Sequence, residues 1–304
     1  MKLSSLIAQS TAKLALCSET PRLDAEILLS HTLNKSREDI LTHPEIKLDV
    51  NQIKAYKKLL VRRQTGEPIA YLVGYKFFYG LKFKVNHHTL IPRPETELMV
   101  EQALKNIVCD TDCQTKNTII LDVGTGSGAI IISLFKQLTI NNKKLRIDFF
   151  ATDISDNALR IAKQNAKNNR IKSIAFLKSD LLNHRKIKRL FQQEKPLVIL
   201  ANLPYLSQKI YTSAPVSVRG FEPATALVSG QNGLNHYQKL LTQLSTFLQT
   251  KNRKRQVVLF CEISPEQKPL IIKKIKLYFP KAEIKFFKDL AGKWRLVKIK
   301  LFPL

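Results

Sequence analysis

The chain has 304 residues, 44% of them apolar, which is ample for a core and longer than one typical domain. Its 50 basic residues outweigh 24 acidic ones, a net charge of +26. That excess is not gathered into an Arg-rich segment or an aromatic-interleaved basic stripe, so it predicts salt-sensitive, non-specific affinity for RNA without a dedicated nucleic-acid motif. The apolar run within Met1–Ala8 is too short for a secretion signal, and no stretch approaches a membrane span, so a cytoplasmic monomer with no membrane partner is expected. Cys17, Cys109, Cys113 and Cys261 lack zinc-type pairing, since Cys109-x-x-x-Cys113 has no His or second cysteine pair near it. Free thiols and no metal are expected.

Residues 1–65 read as helices. Thr20-Pro21 offers a cap and a first-turn proline before Leu23, Ile27 and Leu28. Ser36-x-x-Asp39 resembles a capping box. Ile53, Tyr56, Leu59 and Leu60 keep helical spacing until Gly66 and Pro68 end it. This block carries no cluster of catalytic side chains, and residues 1–75 are expected to form a helical substrate-docking domain. Phe77 to Val85 alternates around Gly80, a hairpin pattern, and residues 76–92 are expected to form a β-hairpin linker. His87 and His88 follow. Adjacent residues of an extended chain point to opposite sides, so they read as loop residues rather than a shared metal site. Pro92-Arg93-Pro94-Glu95-Thr96-Glu97 then leads rigidly into a helix through Leu98, Val100 and Leu104. Glu95 and Glu97 suit its positive N-terminus, yet the run is too unusual for that to be its whole purpose.

From residue 118 strands and helices alternate, which predicts a parallel sheet covered on both faces, within a domain spanning 93–304. Ile119 to Asp122 is an apolar strand. It runs into Gly124-Thr125-Gly126-Ser127-Gly128 and a helix from Ala129. Glycines there let the backbone approach a ligand, and the helix N-terminus behind them is rich in donors. A dinucleotide and S-adenosylmethionine both fit such a loop. Asp122 two residues before the first glycine, and the Gly-x-Gly-x-Gly spacing, favour S-adenosylmethionine. Leu145 to Asp153 is the second strand, ending in a carboxylate suited to ribose hydroxyls. Ser155 starts a helix through Ala158, Ile161, Ala162 and Ala166. A short strand, Ser173 to Leu177, ends near Asp180 and Leu181, in position to meet an adenine.

The fourth apolar run, from Pro196, ends in Asn202-Leu203-Pro204-Tyr205. Asn202 offers an amide oxygen. Pro204 holds Leu203 extended and so aims its carbonyl. Tyr205 offers a flat face with a polar tip. Two acceptors and a ring hold a planar NH2 group, on a carboxamide or on a nucleobase. A helix over 233–249, a strand over 256–262, a helix over 265–278 and a terminal strand pair near 282–288 and 294–301 complete the pattern.

Beyond these motifs come Gly66-Glu-Pro-Ile-Ala-Tyr71, Phe78-Tyr-Gly-Leu81, Leu90-Ile-Pro-Arg-Pro-Glu-Thr-Glu97, Glu222-Pro-Ala-Thr-Ala-Leu227, Gly230-x-x-Gly233-Leu234 and Lys288-Asp-Leu-Ala-Gly292. Together they closely resemble the protein-(glutamine-N5) methyltransferases that modify peptide chain release factors. The resemblance implies an α/β fold: a class I, Rossmann-like S-adenosylmethionine-dependent methyltransferase domain behind the helical domain and hairpin. It implies methyl transfer to the glutamine of a Gly-Gly-Gln loop in translation termination. By position, Gly124, Thr125, Gly126, Ser127, Gly128 and Asp153 would hold the cofactor and Leu181 would lie against its adenine. Asn202, which also borders the cofactor, would grip the glutamine with Leu203, Pro204 and Tyr205. The family usually carries two prolines after the asparagine. Leu203 departs from this and adds an N–H. Asn-Leu-Pro-Tyr is also similar to the motif of ribosomal RNA adenine dimethylases, so the alternative is an N6-adenine methyltransferase acting on RNA or DNA. A non-catalytic RNA-binding protein is disfavoured by the intact loop, Asp153 and Asn202. A nicotinamide oxidoreductase would lack an evident acid or base at the hydride site.

Overall fold

A run such as Thr118–Val123, with apolar residues on both its faces, has no side to give to water, so it needs cover on both. The computed structural model describes residues 3–109, 117–141, 146–249 and 255–302, and provides that cover. Cys113 and Leu145 lie outside the described residues, as does the side chain of Cys109, while Cys17 and Cys261 are free thiols. Contacts gather the chain into two units, Met1–Tyr75 with Ala214–Glu222, and Lys76–Ser213 with Pro223–Leu304.

In the first unit, α1 (Leu3–Leu14), α2 (Pro21–Leu33), α3 (Arg37–Thr42), α4 (Val50–Gln64) and α5 (Ile69–Val73) enclose a core of Leu28, Leu29, Ile40 and Tyr56. The Ser36–Asp39 capping box forms, and Asp49 with Gln52 makes a second one ahead of α4. Thr20 occupies the cap position of α2 but makes no capping bond. Its hydroxyl donates to Asp24 instead, alongside Ser18 and the Arg63 guanidinium. The physical reason is burial: Asp24 is 5% exposed, and a buried carboxylate needs donors more than a helix end needs its cap.

In the second unit, β1 (Tyr75–Phe78) and β2 (Leu81–Lys84) form the hairpin, with Tyr79 and Gly80 both at positive φ as a tight primed turn requires. A short 3-10 turn, Pro94–Thr96, opens α6 (Glu97–Cys109). Glu97 has a role beyond the helix dipole, because its Oε1 accepts from the Tyr79 amide at 2.7 Å and pins that turn. Then follow β3 (Thr118–Val123), α7 (Ala129–Asn141), β4 (Ile147–Asp153), α8 (Asp156–Asn168), β5 (Ile174–Lys178), α9 (Arg185–Leu190) and β6 (Leu197–Ala201). Next are α10 (Gln208–Thr212), α11 (Val216–Arg219, of the first unit), α12 (Asn235–Gln249), β7 (Val257–Glu262), α13 (Lys268–Tyr278), β8 (Glu283–Lys288) and β9 (Trp294–Leu301).

The seven-stranded sheet has the order β5-β4-β3-β6-β7-β9-β8. Six strands run in one direction, five of them paired in parallel, while β9 runs antiparallel to both neighbours. The turn between β8 and β9 is too short for a crossover, so this edge of an otherwise parallel sheet is a hairpin. Side chains of α9, α12 and α13 cover one face of the sheet, and those of α6, α7 and α8 cover the other. Strand order reverses between β3 and β6. The crevice at the carboxyl ends of those strands is where such folds bind ligands. Among the described residues no helix is long and apolar enough to cross a membrane.

Candidate active site

The glycine loop follows β3 at that crevice. Gly124, Gly126 and Gly128 have φ of 74°, 55° and 81°, conformations that side chains resist. A Cβ at Gly124 would stand 2.9 Å from Leu203 Cδ2, and one at Gly128 would meet Ile132 and Ala162. The first glycine therefore admits the neighbouring strand's loop and the third admits helix packing. Asp122 is fully buried and fixes Thr125, whose hydroxyl donates to Oδ2 at 2.6 Å. Burial pushes its carboxyl up to about 7, against the pull of that hydrogen bond.

Asp153 ends β4. Its Oδ2 accepts from Gly126 N at 2.8 Å and its Oδ1 from Ser155 N at 2.9 Å. Burial raises its pKa and these amides oppose the rise. The carboxylate thus ties the glycine loop to the start of α8, and each oxygen keeps a lone pair for a ligand. Beyond β5, Asp180 is ion-paired with Lys239, and Leu181 is buried with φ of 56°. A cavity of about 480 Å³ joins these residues, lined by residues 124–127 of the loop, Asp153, Ser179, Asp180 and Leu181 on one side. Asn202, Leu203, Pro204, Arg93 and Thr96 line the other. Gly128 is not part of the lining; it seats the helix behind the loop.

The slot residues are braced from behind. Asn202 Nδ2 donates to Thr96 Oγ1 at 3.2 Å. Thr96 in turn faces Glu262, a 2%-exposed residue whose pKa burial raises and Thr96 lowers. The Asn202 amide nitrogen faces Thr96, so the amide turns Oδ1 away from it. Tyr205 does not line the cavity. Its hydroxyl donates to Glu262 Oε1 at 3.0 Å and its ring packs on the apolar core. The Tyr205 carbonyl accepts from Gln267 Nε2 at 2.7 Å and presses against Gly233, where a Cβ would lie 2.1 Å away.

The PrmC N-terminal domain family matches residues 5–74, and a methyltransferase domain family matches residues 114–252. A release factor glutamine methyltransferase of Rhodopirellula baltica is 36% identical over 283 residues, 93% of this chain and 90% of its own length. One from Buchnera aphidicola subsp. Schizaphis graminum is 34% identical over 300 residues, covering 97% and 98%. The chain belongs to the release factor glutamine methyltransferase family. The catalytic domain of hMettl16 in complex with a MAT2A 3′UTR hairpin shares the fold, with a TM-score of 0.55 at 16% identity over 90% of this chain and 91% of that one.

The residues fit the S-adenosylmethionine of this class of methyltransferase. Asp153 keeps acceptor capacity at a strand end, the loop backbone lines the cavity, and Ser179 Oγ lies buried beside it without a partner among the described residues. Two features of this family member escape a linear reading. His87 and His88 do not point apart: Asn86 starts a turn that brings their rings to 3.9 Å, and both line the cavity. Asn165, fully buried on α8, accepts from Lys84 N at 2.7 Å and donates to Lys84 O and Ser127 O. One amide thus fastens the hairpin to the glycine loop. The signal for it was a polar residue beside the apolar positions of α8.

Proposed function

We propose that this chain, in the cytoplasm, transfers a methyl group from S-adenosylmethionine to the side-chain amide nitrogen of the glutamine in a release-factor Gly-Gly-Gln loop. The observation that carries this reading is Asn202, its amide polarity set by Thr96 at a cavity shared with the glycine loop. Bound S-adenosylmethionine supplies an electrophilic methyl on a sulfonium sulfur. An amide nitrogen is a weak nucleophile, so the protein's task is alignment, which contributes several kcal/mol. Asn202 Oδ1 and the Leu203 carbonyl accept from the glutamine NH2 and orient it in line with the methyl. These bonds strengthen as positive charge grows on nitrogen. The nitrogen gains the methyl and loses one proton to water, so no side-chain base is needed. Gly124 to Ser127 and Asp153 would hold the cofactor and Leu181 would meet its adenine, while Gly128 seats the helix behind the loop. Pro204 and Tyr205 keep the slot in shape.

The helical unit, residues 1–75, docks the release factor, and removing it slows transfer to intact release factor while cofactor binding stays near wild type. Circular dichroism checks that the shortened chain is folded. The high positive charge adds weak, salt-sensitive affinity for RNA. Labelled cofactor with purified release factor tests the main reading, comparing a natural loop with one whose glutamine is replaced. Label should enter only the former. Transfer to ribosomal RNA instead would replace this reading with adenine methylation.

A further inference from the structure

Strands β6 and β7 pair as far as Ala201 and Cys261, and the chains then separate to form the slot. One side chain occupies that fork. Tyr237 of α12 is 1% exposed, and its hydroxyl lies 3.0 Å from Ala201 O and 2.5 Å from Glu262 O. The same oxygen accepts from Leu203 N at 3.3 Å. A phenol carries one proton and two lone pairs, so its single O–H is shared between the two strand-end carbonyls in a three-centre bond while a lone pair receives the Leu203 amide.

We propose that Tyr237 is a positioning residue of the transfer reaction: it fixes the peptide plane between Asn202 and Leu203, and with it the slot. Pro204 restrains the far side of Leu203 by disfavouring its helical conformation. Tyr237 restrains the near side through the amide nitrogen. Between them the Leu203 carbonyl has one direction, and the Asn202 backbone that carries the acceptor amide is anchored on its own peptide. Without the hydroxyl, a buried N–H at the end of a parallel ladder loses this acceptor. The slot would then gain freedom where the reaction needs alignment. Burial pushes the phenol pKa well upward, so the hydroxyl stays a donor throughout the working pH range.

This assignment rests on the methyl-transfer reading for its catalytic consequence, and its structural core is measurable alone. Tyr237→Phe keeps the ring and removes only the hydroxyl. Amide hydrogen exchange should show Leu203 N–H exchanging about tenfold faster, with Ile199 in the β6 ladder unchanged. Turnover on release factor should fall about tenfold at saturating substrates, while calorimetry finds cofactor affinity within about twofold of wild type. Unchanged Leu203 exchange, or unchanged turnover, would overturn the assignment. So would faster exchange at Ile199 equal to that at Leu203, because that reports general loosening. If wild type fails to methylate release factor while the exchange difference stands, the substrate reading fails and the hydrogen bond remains.

Discussion

The two halves of the active site are held together in different ways. On the cofactor half, Thr125 bonds Asp122 three residues away, Ser155 bonds Asp153 two residues away, and Gly126 reaches Asp153 across 27 residues. On the slot half the ties span 106 residues from Asn202 to Thr96, 34 from Leu203 to Tyr237, 57 from Tyr205 to Glu262 and 62 from Tyr205 to Gln267. A ligand cradle made of backbone can be built locally. An acceptor aimed at a weak nucleophile needs side-chain supports, and these arrive from other strands and helices.

The sharpest way to separate the halves is Asn202→Ala. Turnover should fall roughly 100- to 1,000-fold, as for loss of one transition-state hydrogen bond partner. Cofactor affinity by calorimetry should change far less, and turnover near wild type would dismiss the slot. Next comes Asn165→Ala, which strips partners from both the hairpin and the glycine loop. Denaturant unfolding should show a loss of about 3 kcal/mol, the scale of buried groups left unpaired. A loss below half of that would show that the loop half does not depend on this long-range tie. Asp153→Ala should weaken S-adenosylmethionine by about 1.5–3 kcal/mol, with turnover at saturating cofactor much less affected. Equal effects on both would blur the division between the halves. The smallest change is Thr96→Val, which keeps shape but frees the Asn202 amide to turn. Turnover should drop roughly fivefold, about 1 kcal/mol, with cofactor affinity unchanged.

The contrast also explains what a linear reading could reach. The parallel strands announced themselves as apolar runs, and Gly124 to Gly128 as a contiguous cradle at a strand end. Asn202 was visible because Pro204 and Tyr205 sit beside it. Its supports were not. Thr96 looked like part of a helix start, and Glu262 like the last residue of a strand. Tyr237 lay unremarked within the helix expected over 233–249. Each acquires its role only when β6 and β7 lie side by side. His87 and His88 are loop residues as expected, but their opposite orientation failed for a local reason: Asn86 bends the chain through its own side chain, and the alternation of an extended segment no longer applies.

Asp153 has a thermodynamic consequence of its own. Because it already grips Gly126 and Ser155, the loop does not have to freeze when a cofactor arrives. Association then carries little ordering entropy, and affinity reflects contacts more fully than in a site that folds around its ligand. Contacts made by this preformed loop and Asp153 would be open alike to a cofactor that still has its methyl and to one that has lost it, since the two differ only at the sulfur. On this half of the site the spent product would then compete with fresh cofactor, and inhibition of turnover by added product measures how strongly.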